Sequence, residues 1–292
     1  MVNTEAFKDL YPFQSNFLEL DSLKYHYLDE GEGEPLLMLH GNPTWSFYYR
    51  NLVIGLRDRY RCVVPDHMGC GFSDKPQEYN YTLSQHIDNL EKLVDELQLD
   101  KITLVIHDWG GAIGMGYAVR HPEKIKRLVL FNTSAFLSDH IPFSIDICRY
   151  PVIGPIAIRM FNAFAGAAVY RACKNRKRMT DQVKAGYLAP YDSYENRIAN
   201  LRFVEDIPMT EDVPSYPVVK DIQEKLDLFK DLPALIMWGK KDFCFTTHFF
   251  ERWKEYLPQA EAHIFRRAGH YVVEDAHDEI LPLLESFLVE PK

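Results

Sequence analysis

Two patterns of apolar and polar positions alternate along the chain. Short, nearly continuous apolar runs bounded by turn residues mark strands buried on both faces, and apolar residues recurring every three or four positions mark amphipathic helices. The first pattern predicts strands near residues 35–39, 60–64, 102–106, 127–131, 233–239 and 262–265. The second predicts helices over 81–97, 247–257 and 278–288, the first with Leu83, Ile87, Leu90, Leu93, Val94 and Leu97 on one face. Another helix follows the strand at 102–106. Ahead of all these, Leu18, Leu20, Leu23, Tyr25 and Tyr27 recur at near-alternate positions and predict a hairpin within 14–30.

The rhythm breaks over residues 137–228, where aromatic and basic residues become frequent and Pro142, Pro151 and Pro155 interrupt any regular period. It resumes at Pro233. The expected architecture is α/β: a mostly parallel central sheet flanked by helices, built from residues 1–136 and 229–292, with a mostly helical cap at 137–228 inserted between two strands.

Composition narrows the function classes. A chain of 292 residues, 47% hydrophobic and 26% charged, suits one large α/β domain with an insertion. A net charge of −9 without a sustained basic run argues against nucleic-acid binding. The broken basic stretch at 171–178 reads as a solvated helix face. Five scattered cysteines, odd in number and without metal-ligand spacing, read as reduced thiols of a cytoplasmic protein holding no metal. Residues 1–13 lack a basic-then-apolar leader, and no run approaches the ~18 apolar residues of a membrane span.

The candidate chemistry centres on residues 102–114, ITLVIHDWGGAIG: a buried strand, a sharp turn of small residues, then a helix. The apex of such a turn presents a nucleophile above the sheet, and here the apex residue is Asp108. A serine there would need a base, and on sp3 carbon it would leave an ether. A carboxylate is ionised at neutral pH, displaces a leaving group from sp3 carbon and leaves an ester that water can cleave. The alternative is an acidic N-cap for the following helix.

A base and an orienting acid should follow in the order nucleophile, acid, histidine. Asp108, Asp242 and His270 fit that order, each just beyond a predicted strand end. Asp108 needs no activation, so His270 would take a proton from water, with Asp242 holding the ring. Asn132, at the tip of the strand near 127–131, carries no charge for that task. Asp66 and His67 read as turn chemistry, His40 as a backbone partner, and His107 as facing away from the nucleophile. The leaving group needs fixed donors. Trp109 offers an indole N–H with no acceptor function, its alternative being a packing tryptophan. Trp45, Trp109, Trp238 and Trp253 are the only tryptophans, so residues 137–228 contribute none. The Asn42 amide is the best remaining second donor, its alternative being an Asx turn before Pro43.

HGNPTW (40–45), GFSDKP (71–76), HDWGG (107–111), the Asn-Thr-x-Ala-Phe stretch at 132–136 and AGH (268–270) resemble the haloalkane dehalogenase family of the α/β-hydrolase fold, over nearly the whole chain. One subfamily places its acid where this chain has Asn132, and another takes a second tryptophan from the cap. The remaining, third subfamily matches the set Asp108, His270, Asp242, Asn42 and Trp109. It also contains β-lactone decarboxylases of bacterial olefin biosynthesis, which HGNPTWSFYYR (40–50) and RFVEDIP (202–208) likewise resemble. The resemblance implies a dehalogenase that cleaves a carbon–halogen bond through an alkyl-enzyme ester, giving alcohol and halide. Its partners would be a small apolar haloalkane and water, with no cofactor, and self-association is left open. In the decarboxylase alternative Asp108 attacks the lactone β-carbon, and Asn42 and Trp109 hold a departing carboxylate. Epoxide hydrolases share HDWGG but resemble an aromatic residue at the Asn42 position and use cap tyrosines, for which Tyr170, Tyr187, Tyr191 and Tyr194 are candidates. Trp109 breaks the D-R-x-x-R pattern of fluoroacetate dehalogenases, and a non-catalytic receptor on this fold would tolerate a missing triad member. Phe136, Phe143, Ile147, Val152, Phe161, Phe164 and Tyr187 are the expected pocket lining.

Overall fold

Residues 2–289 are described by a computed structural model of the chain. The ends of the expected core segments, residue 1 and residues 290–292, lie outside the described residues. The apolar runs assemble into one eight-stranded sheet of order β1-β2-β4-β3-β5-β6-β7-β8. The strands are β1 (Asn16–Leu20), β2 (Leu23–Glu30), β3 (Pro35–Leu39), β4 (Arg61–Pro65), β5 (Ile102–Asp108), β6 (Ile125–Thr133), β7 (Ala234–Gly239) and β8 (Glu261–Phe265). The β1–β2 hairpin is antiparallel and joins β4 antiparallel; every pairing from β4 to β8 is parallel.

Alternation along each central strand feeds two cores. Leu37, Leu39, Leu104, Ile106, Leu128, Leu130, Ile236 and Trp238 face one side, with α2 (Leu83–Glu96), α3 (Trp109–Arg120) and α9 (Thr247–Tyr256). Leu36, Met38, Val105, Val129, Phe131, Leu235 and Met237 face the other, with α1 (Arg50–Leu56) and α10 (Val272–Leu288). All seven residues of β5 are buried, which explains why its first five positions are apolar but for Thr103.

Between β6 and β7 the chain forms α4 (Phe143–Asp146), α5 (Ala163–Arg171), α6 (Asp181–Leu188), α7 (Ile198–Glu205) and α8 (Ser215–Glu224), with short 3-10 and π segments. Val219 and Ile222 of α8 join the core formed by α2 and α3, whereas Val169 of α5 and Val183 and Tyr187 of α6 pack on the side of α1 and α10.

Three details differ from the sequence pattern. The strands β5 and β6 run two residues further than their apolar runs, to Asp108 and Thr133. The helix α1, which the pattern did not single out, follows a 3-10 turn at Ser46–Tyr49. The helix α10 begins at Val272, six residues before the expected start. Its first turn hides its acids: Glu274 takes both terminal nitrogens of the Arg50 guanidinium at 2.7 and 2.8 Å, and Asp275 accepts backbone N–H groups from Gly269, Lys174 and Asn175. Buried acids break the apolar period that sequence reading relies on. Among the described residues no helix is long and apolar enough to cross a membrane.

Candidate active site

At the end of β5 the chain must turn directly into α3, and the turn residue takes the strain. Asp108 has φ 51° and ψ −127°, a backbone conformation that costs a side-chain-bearing residue ~1–3 kcal/mol. Close packing around the turn needs glycine. A Cβ on Gly110 would lie 2.0 Å from the Leu39 carbonyl oxygen, and one on Gly41 would lie 1.9 Å from Asp108 Oδ1.

Asp108 sits at the N-cap position of α3, but its side chain makes no capping hydrogen bond into the first turn of that helix. Its Oδ1 instead accepts the Asn42 backbone N–H at 2.7 Å, and the Trp109 backbone N–H also donates to the carboxylate. Burial pushes the Asp108 carboxyl above its ordinary value, against the opposing pull of His270 and the two N–H donors.

His270 lies in the loop after β8. Its Nδ1 is 2.8 Å from Asp242 Oδ2, and its Nε2 is 3.5 Å from Asp108 Oδ2. The first is a hydrogen bond; the second is too long for a strong one. Burial draws the His270 imidazole down, but the Asp242 carboxylate, its hydrogen bond and the Asp108 charge outweigh it, and the net direction is up. Asp242, in the loop after β7, uses its other oxygen to accept the Cys244 backbone N–H at 2.6 Å.

Supporting residues that sequence reading did not find hold these loops. Asn132 accepts the Gly239 N–H at 2.7 Å and donates back to the Gly239 carbonyl at 3.1 Å, fixing the end of β7 just before Asp242. Asp275 accepts the Gly269 N–H at 2.7 Å, immediately before His270. His107 Nε2 donates to the His270 carbonyl at 2.9 Å, and its ring stacks on Tyr48. A polar residue paired to a distant backbone carries no local sequence signature, so only the fold reveals these roles. Asp66 accepts the Ser46 and Phe72 backbone N–H groups and pairs with His26, and His40 and His67 bond each other's backbone.

The four tryptophans separate cleanly. The indole N–H groups of Trp45, Trp238 and Trp253 each donate at 3.0 Å to a backbone carbonyl, of Gly186, Phe245 and Thr133 respectively. Among the described residues Trp109 has no acceptor for its indole N–H, and it lines a cavity of about 360 Å³. Asn42 lines the same cavity; its Nδ2 donates to the Asn200 carbonyl of α7 at 3.1 Å, which leaves its second amide hydrogen uncommitted. Asp108 and His270 lie on the cavity wall as well.

The rest of the wall is largely apolar, with Phe136, Ile145, Phe164, Val204 and Phe245 among its members. Of the residues expected to line it, Phe136 and Phe164 do. Phe143, Val152 and Phe161 point to solvent instead, Ile147 packs against a small cluster with Ile158 and Leu201, and Tyr187 is stacked on Tyr271. None of Tyr170, Tyr187, Tyr191 and Tyr194 lines the cavity. The Tyr187 hydroxyl donates to Glu274 and that of Tyr191 to the Thr44 carbonyl, so neither is placed to protonate an epoxide. Among the described residues no group of three or more His, Cys, Asp or Glu side chains is arranged to hold a metal ion, and all five cysteines are free.

The chain as a whole is similar to known proteins. Residues 34–147 match a family described as alpha/beta hydrolase fold. A cis-3-alkyl-4-alkyloxetan-2-one decarboxylase of Shewanella oneidensis is 50% identical over 287 residues, covering 96% of this chain and 90% of that protein. Haloalkane dehalogenase 2 of Mycobacterium bovis is 32% identical over 282 residues, 93% of each chain. The crystal structure of the haloalkane dehalogenase DatA from Agrobacterium tumefaciens superimposes with a TM-score of 0.84 at 24% identity, over 94% of this chain and 96% of that one. The chain has the α/β-hydrolase fold and belongs to the haloalkane dehalogenase family of enzymes, in the part of it that includes the cis-3-alkyl-4-alkyloxetan-2-one decarboxylases.

Proposed function

We propose that this protein converts cis-3,4-dialkyl β-lactones to alkenes and carbon dioxide, with Asp108 as nucleophile, His270 and Asp242 as its partners, and Asn42 and Trp109 as leaving-group donors. The observation that carries the site is the uncommitted indole N–H of Trp109, a residue that lines a largely apolar cavity together with Asp108. The choice of lactone rests on the higher identity to the decarboxylase than to the dehalogenase.

The chemistry balances without a cofactor. Asp108 attacks the β-carbon, the carbon–oxygen bond of the four-membered ring breaks, and the ring oxygen departs as a carboxylate on the same molecule. That carboxylate takes hydrogen bonds from Trp109 and Asn42 in a site shielded from bulk water. Loss of carbon dioxide then sends its bonding pair into a new carbon–carbon double bond and expels Asp108 as carboxylate. No proton and no water enter the sum. Protonated His270, held by Asp242, steadies the Asp108 charge as it returns. The helices between β6 and β7 act as a cap that keeps the cavity dry, and the free thiols suit the reducing cytoplasm.

Haloalkane dehalogenation is the second reading, and a specific observation favours it. A bare N–H donor beside a carboxylate suits a halide, and His270 Nε2, 3.5 Å from Asp108, is placed to deprotonate a water that attacks the ester. The two readings differ in product. The enzyme should be given a cis-3,4-dialkyl β-lactone and, separately, 1-bromobutane and 1,2-dibromoethane, and kcat/KM compared. Alkene formation at orders of magnitude higher kcat/KM than bromide release is the expected outcome. Faster bromide release, with no alkene from the lactone, would hand the assignment to dehalogenation.

A further inference from the structure

Exposed apolar side chains are ordinary when scattered, and informative when gathered. Here they gather. Half of the exposed large apolar residues among those described fall within residues 143–161. Phe143 is 79% exposed, Val152 and Phe161 70%, and Tyr150, Ile156 and Met160 accompany them. They occupy α4, the turns after it, and the approach to α5.

This stretch is also the basic part of an acidic protein. Residues 143–178 contain seven Lys and Arg and one acid, a net charge of +6 in a chain of net −9. Asp146 neutralises Arg149, and Asp278 neutralises Arg178. Arg159, Arg171, Lys174, Arg176 and Lys177 have no acidic partner among the described residues. Arg159 lies over the Tyr194 ring, and Arg171 is exposed while lining the cavity.

We propose that this face docks on the surface of a bilayer containing anionic lipid, the apolar side chains entering the acyl boundary and the basic ones meeting the headgroups. Charge complementarity selects that occupant over a second copy of this acidic chain. Position supports it as well: Ile141, Ser144, Ile145 and Cys148 line the cavity from within, so the exposed Phe143 lies on the outer side of the same wall. Docking would bring the cavity against the phase in which a dialkyl lactone and its alkene dissolve. That benefit rests on the proposed reaction; the docking itself does not.

The test is co-sedimentation with vesicles of phosphatidylcholine alone and with 30 mol% phosphatidylglycerol. Binding at least tenfold stronger to the anionic vesicles is expected, weakened by 0.5 M NaCl. The triple variant Phe143→Ser/Val152→Ser/Phe161→Ser should lose at least tenfold. Each Lys or Arg near such a surface strengthens partitioning roughly fivefold, so Arg176→Ala/Lys177→Ala should lose about 25-fold. Unchanged turnover of a water-soluble substrate by the variants reports that they are folded, and since sedimentation does not depend on turnover, a wrong reaction assignment would leave it intact. No sedimentation of the wild type, or equal sedimentation of the triple variant, would overturn the proposal. So would a wild-type oligomer in light scattering that the triple substitution dissociates while vesicle binding is absent.

Discussion

Trp109→Phe separates the role of an open donor from that of a packed ring. The substitution keeps an aromatic ring against Phe203, 5.3 Å away between centroids, and deletes an N–H that has no acceptor among the described residues. Folding therefore loses no hydrogen bond, and the smaller ring should cost less than ~1.5 kcal/mol. On the proposed mechanism the transition state loses one of two donors to the departing anion. Losing a donor of this kind costs ~2.7–4 kcal/mol, or roughly 100- to 1000-fold in kcat. Trp45→Phe is the matched control. It strands the Gly186 carbonyl in a fully buried position, which should cost ~1–3 kcal/mol of stability and leave kcat near wild type. Steady-state kinetics and urea denaturation on both variants give the comparison. A halide titration adds a third reading, because Trp45, Trp238 and Trp253 are fully buried and Trp109 alone lines the cavity. Iodide should quench part of the tryptophan emission of the wild type and none of it in Trp109→Phe. Wild-type kcat in a folded Trp109→Phe protein would refute the reasoning, as would an equal loss of kcat in Trp45→Phe.

Asp108→Ala should abolish turnover of lactone and bromoalkane alike, with an unchanged circular dichroism spectrum; residual turnover in the folded variant would remove Asp108 from the nucleophile role. His270→Gln should stall bromoalkane hydrolysis after the first step, so that 1,2-dibromoethane leaves a bromoethyl mass on Asp108 in intact-protein mass spectrometry. Its lactone decarboxylation, which moves no proton, should fall less. The pH profiles should differ in the same sense: hydrolysis needs neutral His270, whose pKa is raised by Asp242 and Asp108 against burial, so its rate should climb with pH through a midpoint above the usual ~6.5 of histidine. The charged ring also stabilises the fold, fully below that usual value and no longer once pH has risen through the raised one. Glu274→Ala should cost ~3–5 kcal/mol in urea denaturation, because the buried Arg50 loses its bidentate partner, whereas Arg50→Met with Glu274→Leu should recover most of it.

The sequence by itself determined the sheet, because parallel strands covered on both faces are apolar at nearly every position, as Ile102, Leu104, Val105 and Ile106 are. It also pointed to Asp108, Asp242 and His270, because α/β sheets gather chemistry at their strand ends and these three residues fall there in the required order. Tertiary structure decided what depends on partners remote in sequence. All four tryptophans are equivalent as letters; a carbonyl 141 residues from Trp45 settles that its N–H is used, and among the described residues no such carbonyl reaches Trp109. Asn132 became a tether for Gly239 only because β6 and β7 lie side by side. The early start of α10 was hidden because Glu274 and Asp275 are paired by Arg50 and by backbone of the 174–175 turn, and a paired acid no longer has to face water. Between β6 and β7 the helices are four to ten residues long and separated by irregular turns, too short for a period to fix which side faces inward. An apolar residue there had three destinations, cavity, core or surface. Packing alone sent Phe164 to the first, Tyr187 to the second and Phe143 to the third.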